Sequence, residues 1–211
     1  MPPQIGLDHT RWVSLWNRLG AQGSGRSVFA HLAQSYAEPI RAYHNTAHIR
    51  DCLSQLDLSR ELARRPDQVE AAIWFHDAVY VPGASDNEHR SARLAEISLV
   101  ACAVPLEIAR RVGELILATR HVTLPRDPDS QLLCDIDLSI LGRAAVEFDG
   151  FERAIRQEYA KVPEAEYRRE RSAVLTGFLR REALYQTDYF RSRFEEQARN
   201  NVQRALVALG S

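Results

Sequence analysis

A chain of 211 residues with 45% hydrophobic and 26% charged residues is long enough for a well-buried core, and its composition is that of a globular protein. Its formal net charge of -1 gives no field that would draw nucleic acid or an anionic membrane, so recognition through bulk charge is excluded as the main activity. The basic residues are nearly all arginine, with Lys161 the single lysine. Three distant cysteines, Cys52, Cys102 and Cys134, show no C-x-x-C spacing and leave one unmatched in any disulfide scheme, which predicts reduced thiols in a cytoplasmic protein. The opening MPPQIGLDHT lacks a basic stretch followed by an apolar run, and no segment approaches the ~20 apolar residues of a membrane span. Neither export nor membrane insertion is expected.

Apolar residues recur every three or four positions almost throughout, without runs of alternating β-branched residues, so the expectation is a single all-α domain over residues 1–211. Asp8 or Thr10 can cap a first helix carrying Trp12, Leu15, Trp16 and Leu19. Gly23-Ser24-Gly25 separates it from VFAHLAQSYAE, which stops before Pro39. A third helix begins near Asn45 or Thr46. Pro66 opens a fourth, read through QVEAAIWFHDAVYV as far as Pro82-Gly83. Asp86 can cap NEHRSARLAEISLVACA, and Pro105 opens LEIARRVGELILATRHV. The polar loop PRDPDS leads into QLLCDIDLSILG, and two or three further helices fill residues 144–209.

Three stretches carry chemistry. In RAYHNTAHIRDCL, His44 and His48 stand four apart, a spacing that puts two side chains on one face of a helix. In WFHDAVY, His76 and Asp77 interrupt an apolar helix, where an unpaired carboxylate costs several kcal/mol and so needs a partner such as a divalent cation. In CDIDLSILG, Asp135 and Asp137 again stand among Leu and Ile. A histidine from one segment, the His-Asp dyad from a second and an aspartate from a third can converge on one ion. The mixed N and O donors suit Mn, Fe, Co, Ni, Zn or, with more water, Mg. Trp12, Trp16, Trp74 and Phe75 fall at helical spacing and are expected in the core. His9, His31 and His89 are expected to be structural or at the surface. YRRERSAVLTGFLRR, with Glu164, Glu166, Glu170 and Glu182 around it, reads as a salt-bridged face, although Arg171 can still reach a phosphate.

Together YHNTAH, FHDAVY and DLSILG resemble the HD superfamily of metal-dependent phosphohydrolases, and in particular a bacterial branch of predicted HD phosphohydrolases. The likeness runs from about residue 10 to the C-terminus and includes FEEQARNNVQRAL. It implies an all-helical HD domain with His48, His76, Asp77 and Asp137 as ligands to one divalent ion; D-L-S favours Asp137 over Asp135. Y-H-N-x-x-H also resembles that of cyclic-nucleotide phosphodiesterases, which makes His44 the acid for the leaving group. The pattern departs where H-D-x-x-H reads HDAVY, with Tyr80 in place of a histidine that helps recruit a second metal.

Glu88, with Asp86 second, is the candidate for orienting water, and Asn87 beside them is a candidate substrate contact. Arg120 is a candidate phosphate clamp, and His121 either a substrate contact or a fifth ligand. The implied activity is hydrolysis, by metal-activated water, of a phosphate ester of a nucleotide or another small phosphorylated metabolite, with no nucleic-acid or membrane partner. Alternatives are a cyclic-nucleotide or pyrophosphate-bond hydrolase, a metal- and nucleotide-binding regulatory module without turnover, and di-iron oxygen chemistry.

Overall fold

The computed structural model describes residues 6–210; residues 1–5, on which the expectation about the N-terminus partly rests, and residue 211 lie outside them. The described residues are all-α: ten α-helices and two short 3₁₀ segments, with no strand. None of these helices is long and apolar enough to cross a membrane. The chain divides into two compact units, Met1–Leu133 and Cys134–Ser211.

The first unit contains α1 (His9–Arg18), α2 (Arg26–Tyr36), α3 (Thr46–Ser59), α4 (Pro66–Phe75), α5 (Asn87–Ala101) and α6 (Leu106–Ala118). Asp8 caps α1, its Oδ1 accepting from the Thr10 and Arg11 amides at 2.8 and 3.1 Å. Helix α4 is the hub, packing against α1, α3, α5 and α6. It starts at Pro66, where a missing N–H costs nothing, and it is buried all round, which explains its near-continuous apolar run. Trp12, Trp16, Trp74 and Phe75 are all core residues, as their spacing predicts; Trp12 stacks on Trp16 at 4.9 Å and meets Trp74 edge-on at 5.4 Å. Gly25 precedes α2 with φ +60°, and a Cβ there would lie 2.8 Å from Trp12 Nε1 and Trp16 Cε2, so both backbone angle and space demand glycine.

A carboxylate sits inside this hub. Glu70, 1% exposed, accepts from Arg11 Nε (2.8 Å), Arg18 Nη2 (2.7 Å) and Arg60 Nη1 (2.8 Å). Arg11 also grips both oxygens of Asp57, while Arg18 and Arg60 share Asp67. The network joins α1, α4 and the Arg60–Leu62 turn, balancing three cations against three carboxylates.

Helix α7 (Pro128–Asp137) begins inside the stretch read from sequence as a loop, because Asp127 Oδ1 accepts from the Ser130 amide at 3.1 Å and Pro128 is compatible with a first turn. The second unit continues with a 3₁₀ segment, Leu138–Gly142, then α8 (Ala145–Glu158), α9 (Glu164–Leu179) and α10 (Asp188–Leu209). Helix α10 packs against the 3₁₀ segment, α8 and α9, and buried Asn201 donates to Leu141 O and Arg143 O at 2.9 and 2.8 Å. Arg171 is held by Glu152 and lies over Phe151, 5.3 Å from the ring centroid.

Gly142 comes so close to α10 that a Cβ would meet Phe194 Cβ at 2.5 Å and its carbonyl oxygen at 2.7 Å. Gly142→Ala is expected to destabilise the second unit by about 3 kcal/mol, the upper end for overpacking, because backbone cannot step aside. Faster amide exchange along α10 in the variant is the measurement; unchanged exchange would contradict it.

Candidate metal centre

The first unit brings His48, His76 and Asp77 together through two turns. Asn45 caps α3: its Oδ1 accepts from the Ala47 amide at 2.8 Å, and its Nδ2 donates to Ala42 O at 2.9 Å. The asparagine of Y-H-N thus ties the preceding turn to the helix, and His48 in the first turn of α3 is buried. His44 lies in that preceding turn, so it does not share a helix face with His48 as four-residue spacing suggests. The rings are nevertheless near, 6.0 Å between centroids, and His44 stacks on Tyr80 at 4.2 Å with 27° between planes.

Helix α4 also ends earlier than its apolar run suggests. It stops at Phe75, leaving His76 and Asp77 in a turn, where they are not splayed around a helix axis. The reason is distant in sequence. Tyr36 Oη donates to Trp74 O at 3.0 Å, and the Arg41 guanidinium donates to Asp77 O and Ala78 O at 2.5 and 3.1 Å, so side chains satisfy carbonyls that a further helical turn would use. Beyond the turn, the Val79 amide donates to Ser91 Oγ at 3.1 Å. Asn87 exchanges two 3.0 Å bonds with the Val81 backbone.

His76 Nδ1 lies 3.0 Å from Ile73 O. A carbonyl only accepts, so Nδ1 carries the proton and the neutral ring presents a lone pair at Nε2. That Nε2 is 3.1 Å from His48 Nε2 and 3.0 Å from Asp77 Oδ2, which is itself 3.4 Å from His48 Nε2. Asp77 Oδ2 is buried and receives no hydrogen bond. Burial pushes the Asp77 carboxyl up, but the imidazoles of His76, His44 and His48, when protonated, outweigh it and hold the group well below the usual carboxylate range.

Three potential ligand atoms at the corners of a triangle with 3.0–3.4 Å edges form an arrangement that a cation can hold together. Donors ~2.1 Å from a common ion are about 3.0 Å apart at octahedral angles and about 3.4 Å apart at tetrahedral ones. The backbone bond at His76 Nδ1 is the outer-shell contact that orients a metal-binding imidazole. His48, His76 and Asp77 are therefore a group that can hold a metal ion.

The other candidates are distributed as follows. Glu88 is half-buried in the first turn of α5, and Asp86, exposed, occupies the position before it without making the capping bond expected of it. Asn87 is a buried clasp on Val81. Arg120 is exposed just past α6, followed by His121, half-buried with φ +55°. Asp137 is the half-buried last residue of α7, in the second unit.

Asp135 has different work. Its Oδ1 accepts from the Gln186 amide at 2.8 Å and its Oδ2 from the Thr187 amide and hydroxyl, both at 2.7 Å, fixing the turn that starts α10. Both oxygens are committed. Asp135→Ala is expected to cost about 2–3 kcal/mol by stranding two backbone donors, while the chain's metal stoichiometry stays unchanged. Amide exchange at residues 186 and 187, with metal analysis of the same sample, checks this; loss of bound ion would return Asp135 to the ligand set.

No family model, curated protein or solved structure matches this chain. The functional argument therefore stands on the site's own chemistry. Sequence reasoning missed Arg41, three residues before His44, because one arginine in a chain with a single lysine carries no local mark of burial.

Proposed function

We propose that the chain is an HD-type metal-dependent phosphohydrolase acting on a phosphate ester of a nucleotide or another small phosphorylated metabolite. His48, His76 and Asp77 would hold one divalent ion, and the HD resemblance adds Asp137 as the further carboxylate. The carrying observation is the triangle of two Nε2 atoms around Asp77 Oδ2, a buried oxygen that receives no hydrogen bond. The resemblance of YHNTAH, FHDAVY and DLSILG to the HD pattern supports phosphoryl chemistry. When bound, such an ion makes water a usable nucleophile near neutral pH and offsets charge on a phosphoryl oxygen.

The chain's own groups divide the remaining work. His44, braced against Tyr80, is placed to give a proton to the departing oxygen. Glu88, with Asp86 second, orients the attacking water, while Arg120 and His121 receive the substrate phosphate. Tyr80 offers a phenol where the two-metal pattern has an imidazole, which favours one ion per chain and a monoester over a cyclic diester.

The test is phosphate release from a panel of nucleotides and small phosphomonoesters with Mn, Co, Ni and Mg supplied in turn. His44→Gln is expected to lower kcat by ~100-fold with ion affinity unchanged, as for loss of a general acid. Tight nucleotide binding with no product under any ion would replace this reading with a non-catalytic module.

A further inference from the structure

The guanidinium of Arg41 lies where the two turns that carry the site meet. Its side chain is 1% exposed. Nη1 donates to His44 O at 3.3 Å and to Asp77 O at 2.5 Å, Nη2 donates to Ala78 O at 3.1 Å, and Nε pairs with Glu38 at 2.9 Å. Above and around it are two rings, with the guanidinium carbon 5.4 Å from the Tyr36 centroid and 5.6 Å from that of Tyr80, the ring on which His44 stacks. One planar cation thus bonds the backbone of the proposed acid, the backbone of a proposed ligand and the next residue, and faces the tyrosine that braces the acid.

We propose that Arg41 is the positioning residue of this centre, setting the register of the His44 turn against the Asp77 turn and so the shape of the His48–His76–Asp77 triangle. This rests on the metal reading above. A buried cation bonded to three carbonyls is costly where a hydrophobic side chain would pack, and only one exposed partner, Glu38, returns charge to it. What the arrangement provides is geometry. A guanidinium directs several N–H groups in one plane at fixed angles, whereas an ammonium of similar reach is a point charge with rotating donors. Charge alone should therefore not substitute.

The experiment titrates ion-free wild type, Arg41→Lys, Arg41→Met, Glu38→Gln and His76→Ala with Co(II), following its visible d–d absorption, while tryptophan fluorescence gives the folded fraction of each. Arg41→Lys is expected to stay folded yet bind Co(II) ~10–100-fold more weakly, the range for outer-shell partners of metal ligands, with an altered band shape. Arg41→Met should be weaker still. Glu38→Gln, which removes the half-exposed negative charge but keeps an accepting oxygen, should fold and show a smaller shift in the same direction.

Wild-type affinity and spectrum in folded Arg41→Lys would overturn the proposal alone. So would unfolded Arg41 variants beside an unchanged Glu38→Gln, which would make Arg41 a folding residue. If His76→Ala bound Co(II) as wild type does, or wild type bound none, the metal reading itself would fall and this proposal with it.

Discussion

Replacing His76 or Asp77 with alanine is expected to end measurable phosphate release and weaken divalent-ion binding by ~100-fold or more, since even outer-shell partners of metal ligands cost 10–100-fold. Each change removes one corner of a triangle whose edges are 3.0–3.4 Å. His76 is 2% exposed, so His76→Ala also leaves a cavity and can lower stability for a reason unrelated to metal. Thermal unfolding with and without ion separates the two effects. An ion at 100 times its Kd stabilises the protein that binds it by about 2.7 kcal/mol, and that increment should vanish in both variants while persisting in His31→Ala, at an exposed position on α2. An increment of wild-type size in Asp77→Ala would remove Asp77 from the site.

Glu70→Ala is expected to destabilise the first unit by about 3–5 kcal/mol, the cost of breaking a buried ion pair by deleting one partner. The carboxylate is 1% exposed and is the acceptor common to Arg11, Arg18 and Arg60. Its loss leaves three guanidinium groups facing one another with only Asp57 and Asp67 to balance them. Glu70→Gln keeps one accepting oxygen and should fall between wild type and alanine. The chain's three tryptophans, Trp12, Trp16 and Trp74, all lie in the core of this unit, so urea denaturation followed by their fluorescence reports on it directly. A loss under about 1 kcal/mol would show the arginines re-solvating freely, as partly exposed side chains can.

Helix starts were legible because their signals are local. Asp8 and Asn45 cap with their own side chains, and Pro66 fits a first helical turn. The end of α4 was not legible. The residues after Phe75, HDAVYV, give no sign of a stop, and the groups that terminate the helix, Tyr36 and Arg41, lie more than thirty positions upstream. The same non-local cause moves His76 and Asp77 from a helix into a turn. The spacing of His44 and His48 suggests a shared helix face that the structure does not have; the turn before Asn45 brings their rings near by another route. Residue type alone does not separate Asp135 from Asp137, and only the resemblance of D-L-S favours Asp137; in the structure the turn at residues 186 and 187, about fifty positions away, claims Asp135.

Tyr80 gives the centre a preferred side. An aromatic face 4.2 Å from the His44 imidazole, with 27° between planes, blocks the ring from swinging in that direction and so fixes its plane. An imidazole N–H lies in the plane of its ring, so under the proposed mechanism the proton would leave within the plane that Tyr80 fixes. Substrates presenting their departing oxygen elsewhere would find no donor, so leaving-group orientation, more than leaving-group identity, would sort good substrates from poor ones.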